Sequence, residues 1–222
     1  MALTIALDGP VGSGKSSVAR ALAHALGILH LDTGAMYRAL ALKAAREGVD
    51  PGDTAAVEAL AARAQIDVLL RDDGQHTLLD GEDVTDLIRT PQVSALASAI
   101  STIATVRAHM VALQRGYARQ ASMVLDGRDI GTRVLPDASY KFYLTAPPAL
   151  RARRRYDEER ARGHDSEYEQ VLSDLLARDA QDMNRQADPL RVADGARVID
   201  TEHLDLPGVV SLLMRIIQEG RG

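Results

Sequence analysis

The chain has 222 residues, a formal net charge of −5, no Cys and no Trp, and its 26 basic residues are 23 Arg and 3 Lys. This composition excludes a disulfide-bonded scaffold and Cys-ligated metal sites, and no apolar run approaches the roughly 18 residues of a membrane span. The acidic balance and the 3% aromatic content disfavour a nucleic-acid partner.

Short apolar runs alternate with helical patterns, which predicts an α/β fold with a parallel sheet covered by helices. Strands are predicted at 3–8, 28–32, 122–127, 139–145 and 196–201. Helices are predicted at 15–26, 34–47, 53–64, 91–120, 148–162, 166–185 and 207–219. Residues 66–85 break this pattern, because short strand-like runs flank a turn at 71–75, which indicates an antiparallel insertion. The length fits one domain over 1–222, and the N-terminus does not resemble a secretory signal, so we expect a cytoplasmic protein.

A glycine-rich segment follows the first predicted strand and fits the pattern G-x-x-x-x-G-K-[ST] at residues 9–16. Its glycines let backbone N–H groups face phosphate oxygens, and the following helix adds its N-terminal dipole. Lys15 would reach the β- and γ-phosphates, and the Ser16 hydroxyl would help to hold Mg²⁺. An ordinary glycine-rich turn is the alternative, but the flanking strand and helix favour a nucleotide-phosphate loop. We predict that ATP binds at Gly9, Pro10, Val11, Gly12, Ser13, Gly14, Lys15, Ser16 and Ser17.

The phosphate loop indicates a P-loop protein but does not determine which reaction the protein catalyses. The chain has one Asn, Asn184, followed by Arg, so it lacks the Asn-Lys-x-Asp motif with which GTPases read guanine. A kinase for a small acceptor fits the length. Two alternatives stay open at this point, namely a kinase for UMP or a metabolite, and a binding module that uses ATP as a switch.

Two further motifs lie where predicted strands end. Residues 32–38, DTGAMYR, follow the second strand, and residues 126–129, DGRD, follow the third. Ligands of open α/β sheets bind at the carboxyl ends of strands, so both motifs should lie beside the phosphate loop. Arg38 and Arg128 could then clamp a second phosphate through paired N–H groups. A capped helix start and a turn with an internal ion pair are the simpler interpretations.

The later part of the chain contains an Arg cluster at Arg151, Arg153, Arg154, Arg155, Arg160 and Arg162. This cluster is either a solvated helix face or a mobile lid that closes over a transferring phosphoryl group. Further on, Arg178, Asp182 and Arg185 share one helix face, as an ion-pair ladder or as contacts to a ligand. Other Arg residues are predicted to be surface residues, namely Arg20, Arg46, Arg63 and Arg221.

Together these segments resemble bacterial cytidylate kinases over essentially the whole chain. The resemblance rests on GPVGSGKSS (9–17), LDTGAMYRALAL (31–42), DGEDVTDLIRT (80–90), LDGRDIGTRVLPDA (125–138) and RDAQDMNRQADPL (178–190). It implies a nucleoside monophosphate kinase fold with a five-stranded parallel sheet, and ATP-dependent phosphorylation of CMP and dCMP with Mg²⁺. It also implies a CMP-binding insertion at about 63–95 in a core of 1–62 and 96–222, and a lid at about 148–163.

The resemblance also assigns residue roles by motif position. Ser98, Arg107 and Asp129 would read cytosine, and Arg178 and Asp182 would contact the ribose. The implied CMP site as a whole comprises Thr33, Tyr37, Arg38, Ser98, Arg107, Arg128, Asp129, Arg178, Asp182 and Arg185. The residues expected to act in catalysis are Lys15, Arg128, Arg151 and Arg154. We expect a monomer without a nucleic-acid or membrane partner.

Overall fold

The computed structural model describes residues 2–71 and 74–220. The strands are β1 (Thr4–Asp8), β2 (Leu29–Asp32), β3 (Ile66–Arg71), β4 (Gly74–Leu79), β5 (Glu82–Asp83), β6 (Met123–Gly127), β7 (Tyr140–Thr145) and β8 (Arg197–Asp200). The α-helices are α1 (Lys15–Leu26), α2 (Thr33–Glu47), α3 (Thr54–Arg63), α4 (Pro91–Ile100), α5 (Ala104–Ala118), α6 (Pro148–Ala161), α7 (Tyr168–Asn184) and α8 (Leu206–Glu219). A 3₁₀ turn covers Leu87–Arg89, and a π-helical turn covers Ile130–Val134.

The main sheet has five parallel strands in the order β2–β6–β1–β7–β8, which confirms the predicted architecture. The central strands β1 and β6 are buried almost throughout, because helices cover both faces of the sheet. Neighbouring β1 residues point to opposite faces: Ile5 and Leu7 pack with α1 and α8, whereas Ala6 packs with α2 and its neighbours. The core on both faces is mainly Leu, Val, Ile and Ala.

A second sheet forms the predicted insertion. It is antiparallel, in the order β3–β4–β5, and it packs against α2. The Gln75 side chain connects it to the main sheet, because Gln75 Oε1 accepts a hydrogen bond from Asp32 N at 2.7 Å and Gln75 Nε2 donates to Asp32 O at 3.2 Å. The insertion is therefore tied to the end of β2, where the DTGAMYR motif begins. The predicted turn at 71–75 contains Asp72 and Asp73, which lie outside the described residues, as does Arg221.

The helix predicted over 91–120 is instead two helices, α4 and α5, bent by 105° at residues 101–103. At this break Ser101 Oγ donates to Ser98 O and Thr102 Oγ1 donates to Ala99 O, each at 2.8 Å. Such local bonds compete with continuation of a helix. Over the described residues no single helix has the length and hydropathy that a membrane span needs. The helices α4 and α5 meet both criteria only when they are taken together, as this bent pair.

Candidate active site

The carboxyl ends of β1, β2 and β6 meet at one edge of the main sheet, beside a cavity of about 280 Å³. The glycine-rich loop, the start of α2, the DGRD segment, α6 and α7 all contribute to its lining. Of the sequence-predicted site residues, the cavity brings together Val11, Gly12, Gly14, Lys15, Ser16, Ser17, Thr33, Tyr37, Arg38, Arg107, Arg128, Asp129, Arg178, Asp182 and Arg185. The structure places the remaining ones outside this lining, namely Gly9, Pro10, Ser13, Ser98, Arg151 and Arg154.

The loop conformation explains two of its glycines. Gly12 and Gly14 have φ of 72° and 82°, in the left-handed region that favours glycine. A Cβ added at Gly12 would also lie 2.6 Å from the backbone oxygen of Arg151, at the base of α6. The loop can therefore curl under α6 only with glycine at this position. Gly14 is the N-cap of α1, so the backbone N–H groups of the first helical turn are available to an anion.

Lys15 is buried near two arginines and two carboxylates. Its ammonium group donates to Pro10 O at 3.0 Å, and its side chain is buried. The pKa of Lys15 is lowered from 10.5 to about 7, chiefly by burial; the nearby Arg128 and Arg178 contribute to this lowering, and Asp126 and Asp182 oppose it. An added anion would favour the charged form of Lys15, so the loop suits a polyphosphate.

Ser16 has a carboxylate partner that sequence reasoning did not assign. Ser16 Oγ donates to Asp126 Oδ2 at 2.6 Å, and Asp126 Oδ1 lies 2.7 Å from His30 Nε2. Within residues 2–71 and 74–220 no cluster of three acidic or His side chains could hold a metal ion. A hydroxyl and one carboxylate beside a phosphate loop nevertheless fit Mg²⁺, which binds oxygen and takes its other ligands from phosphates and water. Ser16 and Asp126 are therefore the candidate metal ligands.

Arginine side chains from separate elements surround the centre of the cavity. Arg38 Nη2 donates to Asp32 Oδ2 at 2.8 Å, and Arg128 Nε donates to Asp182 Oδ2 at 2.8 Å. Among the described residues, the buried Arg178 Nε has no hydrogen-bond partner. Burial, together with the neighbouring Arg128, lowers the pKa of Arg178 to about 10. Arg178, whose Nε lacks a partner among the described residues, lies next to Arg38 and Arg128, so this part of the cavity is a candidate second anion site beside the phosphate loop.

Buried polar side chains, including the Arg107–Asp129 pair, lie at the other end of the cavity. Arg107 Nη2 donates to Asp129 Oδ2, and the Arg107 guanidinium lies 5.8 Å from the centre of the Tyr37 ring. Arg107 Nη1 also donates to Ser101 O at 3.2 Å. The Ser98 hydroxyl is buried without a hydrogen-bond partner in the part of the chain that the structure describes. This end offers both a carboxylate and a guanidinium to a polar ring.

The structure does not bring the predicted catalytic residues Arg151 and Arg154 into the cavity. Arg151 donates to Ala146 O at 2.8 Å, to Val11 O at 3.0 Å and to Asp179 Oδ2 at 2.6 Å. Arg154 donates to the side chain and backbone of Thr201 at 2.9 and 2.8 Å. Both guanidinium groups donate to protein partners in this structure, and their catalytic role stays a prediction.

Other residues line the cavity that sequence reasoning did not assign to the site. Apart from Arg155 and Arg162, which belong to the predicted Arg cluster, the acidic, basic and His residues among them are Arg20, Asp32, Arg89, Asp126, Glu158, Glu159 and His164. Arg20, predicted as a surface residue, is exposed and lines the cavity, whereas Arg46 and Arg63 are exposed and pair with Glu82 and Glu47. The position of Arg20, five residues after Lys15 on the helix that follows the loop, was the available signal.

The sequence model of the cytidylate kinase family matches residues 5–219. The chain belongs to the cytidylate kinase family. A cytidylate kinase from Caldicellulosiruptor bescii is 44% identical over 214 residues, which are 96% of this chain and 95% of the relative. A cytidylate kinase from Symbiobacterium thermophilum is 47% identical over 214 residues, with the same coverage. A shikimate kinase structure from Bacteroides thetaiotaomicron covers 98% of this chain and 99% of that chain, with a TM-score of 0.51 at 12% identity, and shows likeness of fold alone.

Proposed function

We propose that this member of the cytidylate kinase family transfers the γ-phosphoryl group of ATP to the 5′-phosphate of CMP or dCMP. The products are ADP and CDP or dCDP. One observation carries this proposal: one cavity joins the glycine-rich loop to the Arg107–Asp129 pair through a row of arginines that includes Arg178, whose Nε has no hydrogen-bond partner in the described part of the chain. This arrangement suits one polyphosphate and one second ligand that carries both a polar ring and a phosphate group. The phosphates of the two ligands would face each other.

The glycine-rich loop binds ATP in this proposal. Backbone N–H groups at the start of α1 face the phosphates, and Lys15 neutralises the β- and γ-phosphates. Ser16 and Asp126 would hold Mg²⁺, which would supply neutralisation of phosphate charge. His30 fixes the orientation of the Asp126 carboxylate through its contact with Oδ1.

Arginines clamp the acceptor phosphate. Arg38, Arg128 and Arg185 orient it, and Arg178 and Asp182 contact the ribose near it. An oxygen of the acceptor phosphate attacks the γ-phosphorus in line while the bond to the β-phosphate oxygen breaks. The acceptor phosphate is ionised near neutral pH, so the step needs no strong general base. Catalysis is therefore positioning together with neutralisation of charge by Lys15 and the arginines.

Arg107, Asp129 and Ser98 read the cytosine. The Asp129 carboxylate accepts a hydrogen bond from the exocyclic amine, and Arg107 donates to the ring acceptors. Tyr37 forms a wall of the pocket next to Arg107. The Ser98 hydroxyl, buried and without a partner among the described residues, is available to the base after a small rotation of its side chain. Uracil presents an acceptor where cytosine presents the amine, so Asp129 disfavours UMP.

The lid at 148–163 contributes arginines other than the expected ones. Arg155 pairs with Glu159 at 2.9 Å and Arg162 pairs with Glu158 at 2.6 Å, and all four residues line the cavity. We assign Arg155 and Arg162, instead of Arg151 and Arg154, as the groups that approach the transferring phosphoryl group when the lid closes. Closure excludes water, which would otherwise hydrolyse ATP. The insertion at 63–95, the cytoplasmic location and the monomeric state remain predictions.

A turnover panel tests the proposed function. ADP formation is measured with ATP and Mg²⁺ in the presence of CMP, dCMP, UMP, AMP or shikimate, for the wild type and for Lys15→Ala. We expect CMP and dCMP to be the best acceptors and Lys15→Ala to lose turnover while keeping its fold. Preference for another acceptor would support the alternative kinase, and ATP binding without acceptor-dependent turnover would support a switch.

A further inference from the structure

Asp188 has an unusual backbone conformation just after α7. Its φ is 47°, in the left-handed region that Asp and Asn tolerate better than other side chains. It precedes Pro189, and the chain turns back here, because Leu190 N donates to Asp182 O at 2.8 Å. This turn brings the backbone carbonyl and the carboxylate of Asp188 close to two arginines of the cavity.

Asp188 contacts both of these arginines by different atoms. Its Oδ2 accepts from Arg107 Nε at 3.0 Å, and its backbone oxygen accepts from Arg185 Nε at 2.8 Å. The Asp188 Oδ1 also lies 3.4 Å from Arg133 Nε. Asp188 itself is outside the cavity lining, whereas Arg107 and Arg185 belong to it. Its contacts therefore act on a ligand only through other side chains.

The carboxylate of Asp188 completes the fixation of Arg107. The other two guanidinium nitrogens of Arg107 donate to Ser101 O and to Asp129, and the side chain is 2% exposed. Without the Asp188 carboxylate, the buried Nε of Arg107 would have lost its hydrogen-bond acceptor. A rotated guanidinium that donates two hydrogen bonds to Asp129 would then have the lower free energy. That rotation would remove the Asp129 oxygen and the Arg107 N–H groups from the positions that a base requires.

We propose that Asp188 is a positioning residue that sets the cytosine-reading geometry of Arg107 with its side chain and the orientation of Arg185 with its backbone. The inference rests on the proposed function, because it concerns the acceptor side of the same cavity. It goes beyond that function by assigning acceptor affinity to a residue that does not touch the acceptor. The side-chain contact to Arg107 and the backbone contact to Arg185 can be tested separately. Asp188→Gly keeps the left-handed backbone, and with it the contact to Arg185, and removes only the carboxylate.

The test measures KM for CMP at saturating ATP and KM for ATP at saturating CMP in Asp188→Gly, Asp188→Asn and Asp188→Ala. We expect Asp188→Gly to raise KM for CMP by about tenfold and to leave KM for ATP within about twofold. Asp188→Asn keeps an acceptor oxygen and tolerates the backbone, so it should rescue most of the loss. Asp188→Ala should be worse than Asp188→Gly, because alanine strains the left-handed backbone and also disturbs Arg185.

Asp50 provides a control, because it is an exposed aspartate whose Oδ1 accepts from Gly52 N at 2.8 Å in the turn before α3, outside the insertion and the cavity lining. Asp50→Gly should leave both KM values unchanged. Equal rises in the two KM values, or no rise for CMP in folded Asp188→Gly or Asp188→Ala, would overturn the proposal, and Asp188→Ala decides if Asp188→Gly does not fold. Turnover of CMP by the wild type tests the proposed function separately.

Discussion

Removal of the Arg151 guanidinium should destabilise the fold far more than it affects phosphoryl transfer. Arg151 connects three elements, because it donates to Val11 O of the phosphate loop, to Ala146 O after β7 and to Asp179 on α7. Both side chains of the Arg151–Asp179 pair are less than 10% exposed, at 5% and 9%. Arg151→Ala would leave the Asp179 carboxylate buried without its cation, together with two buried carbonyl groups that lose a donor.

The expected cost follows from the burial of this pair. Removing one partner of a buried ion pair typically costs about 3–5 kcal/mol, because the remaining charge stays desolvated. For a chain of this size, about 1 kcal/mol shifts the melting temperature by about 2–4 °C, so Arg151→Ala should melt about 10 °C lower. Asp179→Ala should cost a similar amount. The double variant should cost less than the sum of the two single variants, since the pair is already broken.

Urea unfolding followed by circular dichroism measures these differences. The control is Arg160→Ala, because Arg160 lies on α6 like Arg151 but forms an exposed pair with Asp165 of the following loop, and such pairs contribute about 1 kcal/mol or less. Turnover at saturating substrates, measured well below the melting transition, should fall much less in Arg151→Ala than in Lys15→Ala. A loss of stability below about 1 kcal/mol together with a collapse of turnover would refute this reasoning and restore the catalytic role predicted from the sequence.

Bound phosphates should raise the lowered pKa of Lys15, so ATP binding should take up a proton and should weaken as pH rises from about 7.5 to 9. Calorimetry in buffers of different ionisation enthalpy measures the proton uptake. Binding that is independent of pH and takes up no proton would contradict this prediction. Asp182→Ala should lower kcat/KM for both CMP and dCMP, because Arg128 loses its partner. The loss should be greater for CMP, because only CMP has the 2′-OH that Asp182 contacts. Equal losses for the two substrates would remove Asp182 from the ribose contacts. Arg38→Ala should raise KM for CMP by about tenfold or more, whereas Arg46→Ala, at an exposed pair with Glu82, should behave like the wild type in the same assay.

Local patterns were enough to predict the elements and the phosphate loop. The alternation of apolar runs and helical periodicity predicts the five-stranded parallel sheet, and the loop follows β1 because the motif itself specifies a strand, a turn and a helix. The helix predicted over 53–64 is α3, and Asp53 caps it because its Oδ1 accepts from Ala56 N at 3.0 Å. The break at 101–103 was missed because Ser and Thr occur both in helices and at their ends.

The arginine-rich character of the chain, its motifs and its family are determined by the sequence alone. Which arginines face the cavity is decided by tertiary structure. Arg151, Arg154 and Arg155 lie within five positions of α6, yet the packing of α6 against α7 and the loop directs the first two to protein partners and the third to the cavity. Asp188 reaches Arg107 across 81 positions of sequence. A helix turns by about 100° per residue, so neighbours in one cluster point in different directions until packing fixes that helix, and contacts between distant segments exist only after the chain has folded.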